Sequence, residues 1–226
     1  MIKLIVCDFD DTLALEYDFI ASGYRVCSNY IASKIQSYSN TEIEGFFWEA
    51  FKQSPKNVFN RVLQQLGLDN DTDLLNQLIN LYRYHTPLLS YQSDVSEFIN
   101  EIKRRNIHSA IITDGNAKTQ LNKLKETGAF NDFEKIIITS EWSANWTKPS
   151  TLPFTYLKNY FDVDFTEMLY IGDNPKKDFA AKANIPIYTA RIIRPKAIYT
   201  NAEYLKEIRE DFTIKNLPEI FNLNLF

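Results

Sequence analysis

The sequence predicts an α/β fold, a doubly wound parallel sheet interrupted early by an all-helical insertion. Three observations carry this. From residue 93 onward, short apolar β-branched runs alternate with amphipathic stretches, which is the pattern of βαβ units with helices on both faces of a parallel sheet. Before that, apolar residues recur at three- and four-residue spacing with no convincing strand among them. The length, 226 residues with 45% hydrophobic and 24% charged, suits one core domain carrying a smaller one. The expected division is a core of residues 1–14 and 92–226 and a helical unit of residues 15–91.

Taken in order, Ile2 to Cys7 is a short apolar run, too short for a helix and rich in β-branched residues, so it reads as a buried strand that ends in an acidic loop, Asp8 to Asp11. Four stripes follow: Ile20, Tyr24, Cys27, Ile31 and Ile35; then Ile43, Phe46, Phe47, Ala50 and Phe51; then Phe59, Val62, Leu63 and Leu66; then Leu74, Leu75, Leu78 and Tyr82. Each gives a helix one apolar face, and four such faces can bury one another in a bundle. Val95, Phe98, Ile99 and Ile102 mark a further helix, with Ser93 as the expected N-cap and Arg104 and Arg105 suited to its last turn.

Ile107 to Thr113 reads as a strand ending at Asp114-Gly115, and Lys118 to Glu126 as a helix stopped by Gly128. Lys135 to Thr139 is a strand, Leu152 to Tyr160 a helix, and Met168 to Ile171 a strand ending at Gly172-Asp173. Phe179 to Ala183 is helical, Ile185 to Thr189 a strand, Ala202 to Arg209 a helix and Phe212 to Ile214 a strand. The crossovers should be right-handed.

Composition narrows the function. There are 25 basic and 29 acidic residues, a net charge of −4, so the chain lacks the basic excess of a nucleic-acid surface. No stretch approaches the roughly 20 apolar residues of a membrane span. The N-terminal apolar run is too short for a signal peptide, and two cysteines do not make a secreted disulfide framework. A cytoplasmic protein with free thiols is expected, and nothing in the sequence sets its oligomeric state. Two cysteines and two histidines at these spacings do not suggest zinc.

In open parallel sheets, ligands bind beyond the carboxyl ends of the strands. There the sequence places Asp8, Asp10, Asp11 and Thr12; Thr113, Asp114, Gly115 and Asn116; and Gly172, Asp173, Asn174 and Asp178, with Lys148-Pro149 in the loop after the strand ending near Thr139. Asp8 and Asp10 share a face in extended backbone, and carboxylates that close repel unless a cation or proton lies between them. Mg²⁺, which takes hard oxygen ligands and keeps several waters, suits one or two of these carboxylates together with a phosphate oxygen. The Thr113 hydroxyl, the backbone N–H groups of the 114–116 turn and the Lys148 ammonium are donors for a phosphoryl group. Singly, each is ordinary loop chemistry. Their order at successive strand ends points to one site.

With these residues the chain resembles the haloacid dehalogenase-like (HAD) superfamily, mostly Mg²⁺-dependent phosphohydrolases with a Rossmann-like core. Its four motifs are matched in order by Asp8-Phe9-Asp10-Asp11-Thr12-Leu13, by Thr113-Asp114-Gly115-Asn116, by Lys148-Pro149 and by Gly172-Asp173-Asn174-Pro175-Lys176-Lys177-Asp178. The resemblance implies that Asp8 is the nucleophile and forms an aspartyl-phosphate, and that Asp10 protonates the leaving group and then activates water. It implies that Asp8, Asp173 and the Asp10 carbonyl bind Mg²⁺, with Asp178 a ligand or its supporting partner. Thr113, Asp114, Gly115, Asn116 and Lys148 would hold the phosphate. Asp10, absent from members that resemble dehalogenases, favours phosphoryl chemistry; Asp11 stands where many members carry Gly. The helical insertion resembles the family's cap.

The expected activity is hydrolysis of a small soluble phosphomonoester, a sugar phosphate or nucleoside monophosphate. A phosphomutase using the same aspartyl-phosphate is the alternative, and a phospho-accepting receiver-like module a more distant one. Tyr17, Tyr24, Phe47 and Trp48 read as packing before substrate contacts. Trp142 and Trp146 read equally as either. Arg191, Arg194 and Lys196 read as a solvated loop before a second anion site.

Overall fold

The computed structural model describes residues 1–226 and falls into two compact units, residues 1–17 with 89–226, and residues 18–88. The first contains six strands: β1 (Leu4–Cys7), β2 (His108–Thr113), β3 (Lys135–Ile138), β4 (Met168–Gly172), β5 (Tyr188–Ile192) and β6 (Phe212–Ile214). All pair in parallel, in the order β3-β2-β1-β4-β5-β6. β1 is therefore central, with Cys7 level with Ile111 on one side and Ile171 on the other.

Period-two alternation in these strands feeds two apolar layers. Ile5, Cys7, Ile111, Leu169 and Ile171 face one, with Val95, Phe98 and Leu124. Leu4, Val6, Ala110, Ile112, Met168 and Tyr170 face the other, with Phe154 and Leu157. The helices supplying those side chains are α5 (Val95–Arg104), α6 (Ala117–Glu126) and α8 (Leu152–Phe161), with the single turn α7 (Ala129–Asp132) after α6. Burying each Ile, Leu or Phe contributes about 1.5–3 kcal/mol, which is what holds the strand ends, and the polar loops on them, in fixed register.

The second unit is all-helical: most of α1 (Glu16–Lys34), then α2 (Asn40–Gln53), α3 (Val58–Gln65) and α4 (Thr72–Tyr84). Of the predicted stripes, Ile20, Tyr24, Cys27, Ile31, Ile43, Phe47, Ala50, Val62, Leu63, Leu74 and Leu78 are buried, and the others are half-buried. Tyr24 stacks on Phe47 at 4.8 Å, and Trp48 meets Tyr24 edge-on. Ser39 and Glu42 form a capping box at the start of α2. No helix is long and apolar enough to cross a membrane.

Four local expectations fail, each for a tertiary reason. The residue before α5 is Asp94, not Ser93, and its side chain does not cap: Oδ2 accepts from Arg194 and from the Leu217 N–H. β5 runs three residues further on than Ile185 to Thr189. Pro186 has no N–H for a ladder, whereas Arg191, read from the sequence as part of a solvated loop, gives its guanidinium to the Asp173, Tyr199 and Thr200 carbonyls and the Tyr204 hydroxyl. Ala202 to Arg209 holds only a short 3₁₀ turn, Leu205–Glu207. There the Leu205 N–H is bound by the Pro175 carbonyl, and Lys206 and Glu207 are left-handed. Finally, Arg191 and Arg194 are buried rather than solvated, and their donors are spent on protein acceptors, so neither forms a second anion site. Gly128, by contrast, ends α6 as expected, with φ +77° and its N–H on the Lys125 carbonyl.

Candidate functional site

In a sheet of this order the direction of winding reverses between β1 and β4, and the crevice at their carboxyl ends is where ligands bind. Asp8 follows β1 and Asp173 follows β4, so the two carboxylates flank that crevice. A cleft of about 230 Å³ opens there, lined by Asp8, Asp10, Asp114, Asp173, Lys177 and Tyr199 among others.

The loop after β1 is a tight turn. The Leu13 N–H bonds the Phe9 carbonyl and the Asp11 N–H bonds the Ala14 carbonyl, which puts Asp11 in the left-handed region at φ +53°. Glycine would relieve that conformation, but Asp11 compensates with its side chain: Oδ1 accepts from the Glu16 N–H at the start of α1, and Oδ2 from the Ile198 N–H. Arg194 locks the turn from outside through two bonds to the Thr12 carbonyl.

Lys148 is the electrostatic centre. Its Nζ lies 2.8 Å from Asp8 Oδ1, 2.9 Å from Asp178 Oδ1 and donates to the Tyr170 hydroxyl at 2.7 Å. All four residues are buried. The Tyr170 hydroxyl donates to Asp178 Oδ1, and the Asn174 N–H to Asp178 Oδ2. Burial disfavours the Lys148 ammonium, but the Asp178 and Asp8 carboxylates outweigh it and its pKa rises. Burial pushes Asp8 up to about 6 against the pull of Lys148. Asp178 goes the other way: burial raises it, but Lys148 and Lys177 together bring it below the usual carboxylate range.

Asp173 has no such support. Its Oδ2 is buried without a hydrogen-bond partner, and burial, then Asp178 and Asp8, push its pKa up to about 9. Carboxylate oxygens of Asp8, Asp173 and Asp178 all lie within 4.8 Å of one another. An orphaned buried carboxylate oxygen beside two further carboxylates fits a hard divalent cation. Asp178 already bonds through both oxygens, to Tyr170 and Lys148 and to the Asn174 N–H, so Asp8 and Asp173 would be the better ligands for such a cation.

The sign of the Asp173 shift gives a pH dependence. The folded chain keeps a proton that the unfolded chain releases near pH 4, so stability of the cation-free protein falls as pH rises from about 4 towards about 9. A divalent cation bound by Asp173 would replace that proton. Mg²⁺ should therefore raise the melting temperature more at about pH 8.5 than at about pH 6, in differential scanning fluorimetry. An equal shift at both would remove Asp173 from the ligand set.

Gly172 leaves room for this arrangement. A Cβ there would stand 2.5 Å from Asp178 Oδ2 and 2.7 Å from its carboxyl carbon. Gly172→Ala should displace Asp178, cost about 1–3 kcal/mol in urea denaturation and lower activity with it. An alanine variant as stable and active as the parent would show that Asp178 is not held where these contacts put it.

The other predicted residues divide. Thr113 is buried at the end of β2, and its Oγ1 accepts from Gln120 Nε2 at 2.6 Å. The same Nε2 donates to Asp10 Oδ2 at 2.9 Å, and Lys123 Nζ lies 2.7 Å from Asp10 Oδ1. Asp114 Oδ1 accepts from the Thr139 hydroxyl and the Lys148 N–H, and its Oδ2 lies 3.3 Å from Lys177. Gly115 lines the cleft at φ +137°, a conformation open to glycine and strained for other residues. The Asn116 side chain caps α6 by accepting from the Thr119 N–H.

Sequence reasoning missed Gln120, Lys123, Tyr170 and Lys177. Gln120 and Lys123 stand three apart on one face of α6, and Lys177 is inside the fourth motif, so spacing could have flagged those three. Tyr170 carries no local signal, being one more apolar-strand residue until its hydroxyl meets Lys148. Trp142 and Trp146 stack on each other at 4.2 Å and pack against Tyr156. Cys7 is a fully buried member of the core, where burial pushes its thiol up.

The haloacid dehalogenase-like hydrolase family matches residues 5–192. A glyceraldehyde 3-phosphate phosphatase from Methanocaldococcus jannaschii is 26% identical, over 99% of this chain and 97% of its own. A haloacid dehalogenase-family hydrolase from Bacillus subtilis, bound to magnesium, superposes with a TM-score of 0.69 at 18% identity, covering 98% of this chain and 97% of that one. A predicted phosphoglycolate phosphatase from Haemophilus somnus superposes at 0.66 with 16% identity and the same coverage. At these identities the two structures speak for the fold.

Proposed function

The chain belongs to the haloacid dehalogenase-like hydrolase family, and on that premise we propose that it is a phosphatase that hydrolyses a small soluble phosphomonoester through an aspartyl-phosphate on Asp8, with Mg²⁺ as cofactor. The observation that carries the reading is the buried Lys148, held 2.8 Å from Asp8 Oδ1 beside the unpartnered Asp173 Oδ2.

Asp8 Oδ1 accepts from the Phe9 N–H as well as from Lys148. Oδ2 is thus the oxygen left to attack phosphorus. As that bond forms, the bond from phosphorus to the ester oxygen breaks, and Asp10 supplies a proton to the departing oxygen. Water then attacks phosphorus, Asp10 takes its proton, and Asp8 is released with inorganic phosphate. Covalent catalysis divides one hard displacement into two easier ones. The Thr113 hydroxyl and the Asp114 N–H hold phosphate oxygens, while Lys148 and Lys177 offset the charge carried by substrate and nucleophile. Asp8, Asp173 and the Asp10 carbonyl would hold Mg²⁺, which would supply charge neutralisation of the phosphoryl group. The helical unit is inserted between the first two strands, where the resemblance places a cap, and we assign it that role.

A sugar phosphate or nucleoside monophosphate fits this chemistry. The likeness to a glyceraldehyde 3-phosphate phosphatase along nearly its whole length puts triose phosphates first among candidates. The test is release of inorganic phosphate from a panel of triose, pentose and hexose phosphates, nucleoside monophosphates and phosphoglycolate. Turnover of at least one ester with Mg²⁺, abolished by EDTA and restored by Mg²⁺, is expected. No phosphate from any ester at any Mg²⁺ concentration would reject the reading.

A further inference from the structure

Lys123 is a buried charge that the mechanism above does not use. It lies on α6, outside all four motifs, and its side chain is 3% exposed against 20% for Asp10, its partner. A lysine so placed loses hydration and is retained only where an anion compensates it. Its Nζ contacts Asp10 Oδ1 at 2.7 Å. One turn earlier, Gln120 donates to Asp10 Oδ2 and, from the same nitrogen, to Thr113 Oγ1. Both oxygens of the Asp10 carboxylate are thus held from one helix face.

The surroundings are shaped for this. A Cβ on Gly115 would come within 3.2 Å of three Gln120 side-chain atoms, and the Asn116 cap fixes where α6 begins. Gln120 also ties Asp10 to Thr113, so the group facing the leaving oxygen and a group facing the phosphate are set by a single amide.

We infer that Lys123 and Gln120 are positioning residues that clamp the Asp10 carboxyl in the orientation from which it serves the leaving group. This rests on the role given to Asp10 above. As the P–O bond breaks and the ester oxygen takes the electron pair, the Asp10 proton moves to that oxygen and a carboxylate is left behind. The clamp holds that carboxylate with one charged and one neutral donor, and each of its oxygens keeps a second lone-pair site for the proton in transit. Fixing the donor's position is a large part of what general acid catalysis needs.

The readout is the leaving group. An alkyl phosphate departs as a poor leaving group and needs the proton; p-nitrophenyl phosphate departs as a stable phenolate and hardly does. kcat/KM reports the steps up to that departure. In Lys123→Met, kcat/KM for the best alkyl ester of the panel should fall by on the order of 10²-fold, and for p-nitrophenyl phosphate by less than about threefold; in Gln120→Leu, which also frees Thr113, both esters should slow, the alkyl ester by about tenfold more than p-nitrophenyl phosphate. Lys123→Arg, which keeps the charge, should recover most of the loss. On an Asp10→Asn background, Lys123→Met should cost less than about twofold more, because the group it positions is already disabled. If Lys123→Met fails to fold, the same discrimination between esters is read in Gln120→Leu. Equal losses on both esters, or losses that multiply with Asp10→Asn, overturn the clamp. Asp10→Asn that itself slows both esters equally overturns the proton-donor role and the clamp together; Asp10→Asn that discriminates while the clamp variants do not overturns the clamp alone.

Discussion

Asp8→Asn should reduce phosphate release by on the order of 10⁴-fold or more, while leaving the fold at least as stable as the parent. The amide keeps the shape of the side chain but supplies no anionic oxygen for phosphorus. The stability half of the expectation comes from the surroundings. Asp8 is buried near Asp173 and Asp178, and burial lifts its pKa to about 6, which means that the fold resists its ionised form at neutral pH. A neutral isostere relieves this, and Lys148 keeps its contacts with Asp178 and Tyr170. Two measurements check the pair. Wild-type enzyme quenched in acid during turnover of labelled ester should carry phosphate on residue 8, and the variant none. Thermal denaturation without Mg²⁺ should give the variant an equal or higher midpoint. A variant that retains a tenth of the activity would end the nucleophile assignment.

Lys148→Met has the opposite profile, because here the substitution strands charges instead of removing one. Asp8 and Asp178 both lie under 3 Å from Nζ and both are buried. Breaking a buried pair by removing one partner costs about 3–5 kcal/mol, chiefly the penalty of the uncompensated charge left behind. Lys177 offsets part of this, since it also faces both carboxylates. The same loss acts on catalysis. Without Lys148 the Asp8 pKa climbs further, fewer molecules carry an ionised nucleophile at neutral pH, and transition-state charge loses a fixed partner, together on the order of 10²–10³-fold in kcat/KM. The sign makes a further check: because the pKa of Asp8 is raised, activity of the variant should climb with pH beyond the point at which the parent levels off. Urea denaturation and a pH–rate profile measure both. A variant within about 1 kcal/mol of the parent would mean that the pair contributes no more than an exposed one.

The two substitutions show how differently the parts of this site could be read in advance. Asp8 declares itself locally: an acid directly after a run of β-branched apolar residues must lie at the end of a buried strand. Asp173 after Met168–Gly172 and Thr113 at the end of His108–Thr113 declare themselves in the same way. The alternation of these runs with amphipathic helices sets the fold class, and the period of the stripes in residues 20–82 sets the helical unit. These are short-range properties, fixed by side-chain direction at two or 3.6 residues per repeat.

Other features had no local signature. Ile185 to Thr189 has the composition of a strand, yet the ladder begins at Tyr188, because the arginine at 191 can be buried once carbonyls from the 173 and 199–200 segments reach it. Tyr170 became a site residue only when its hydroxyl met Lys148 and Asp178, and Arg194 a support for the first loop only by reaching Thr12, 182 positions away in sequence.

By itself, then, the sequence determined which residues stand at strand ends and which faces are apolar. The tertiary structure alone decided which of those groups pair. A buried charge or hydrogen-bonding group is stable only beside its complement, and which complement lies within 3 Å depends on sheet order and on how segments more than a hundred residues apart are brought together. That is why Lys148 between Asp8 and Asp178, and Lys123 against Asp10, exist in the fold and nowhere in the local pattern.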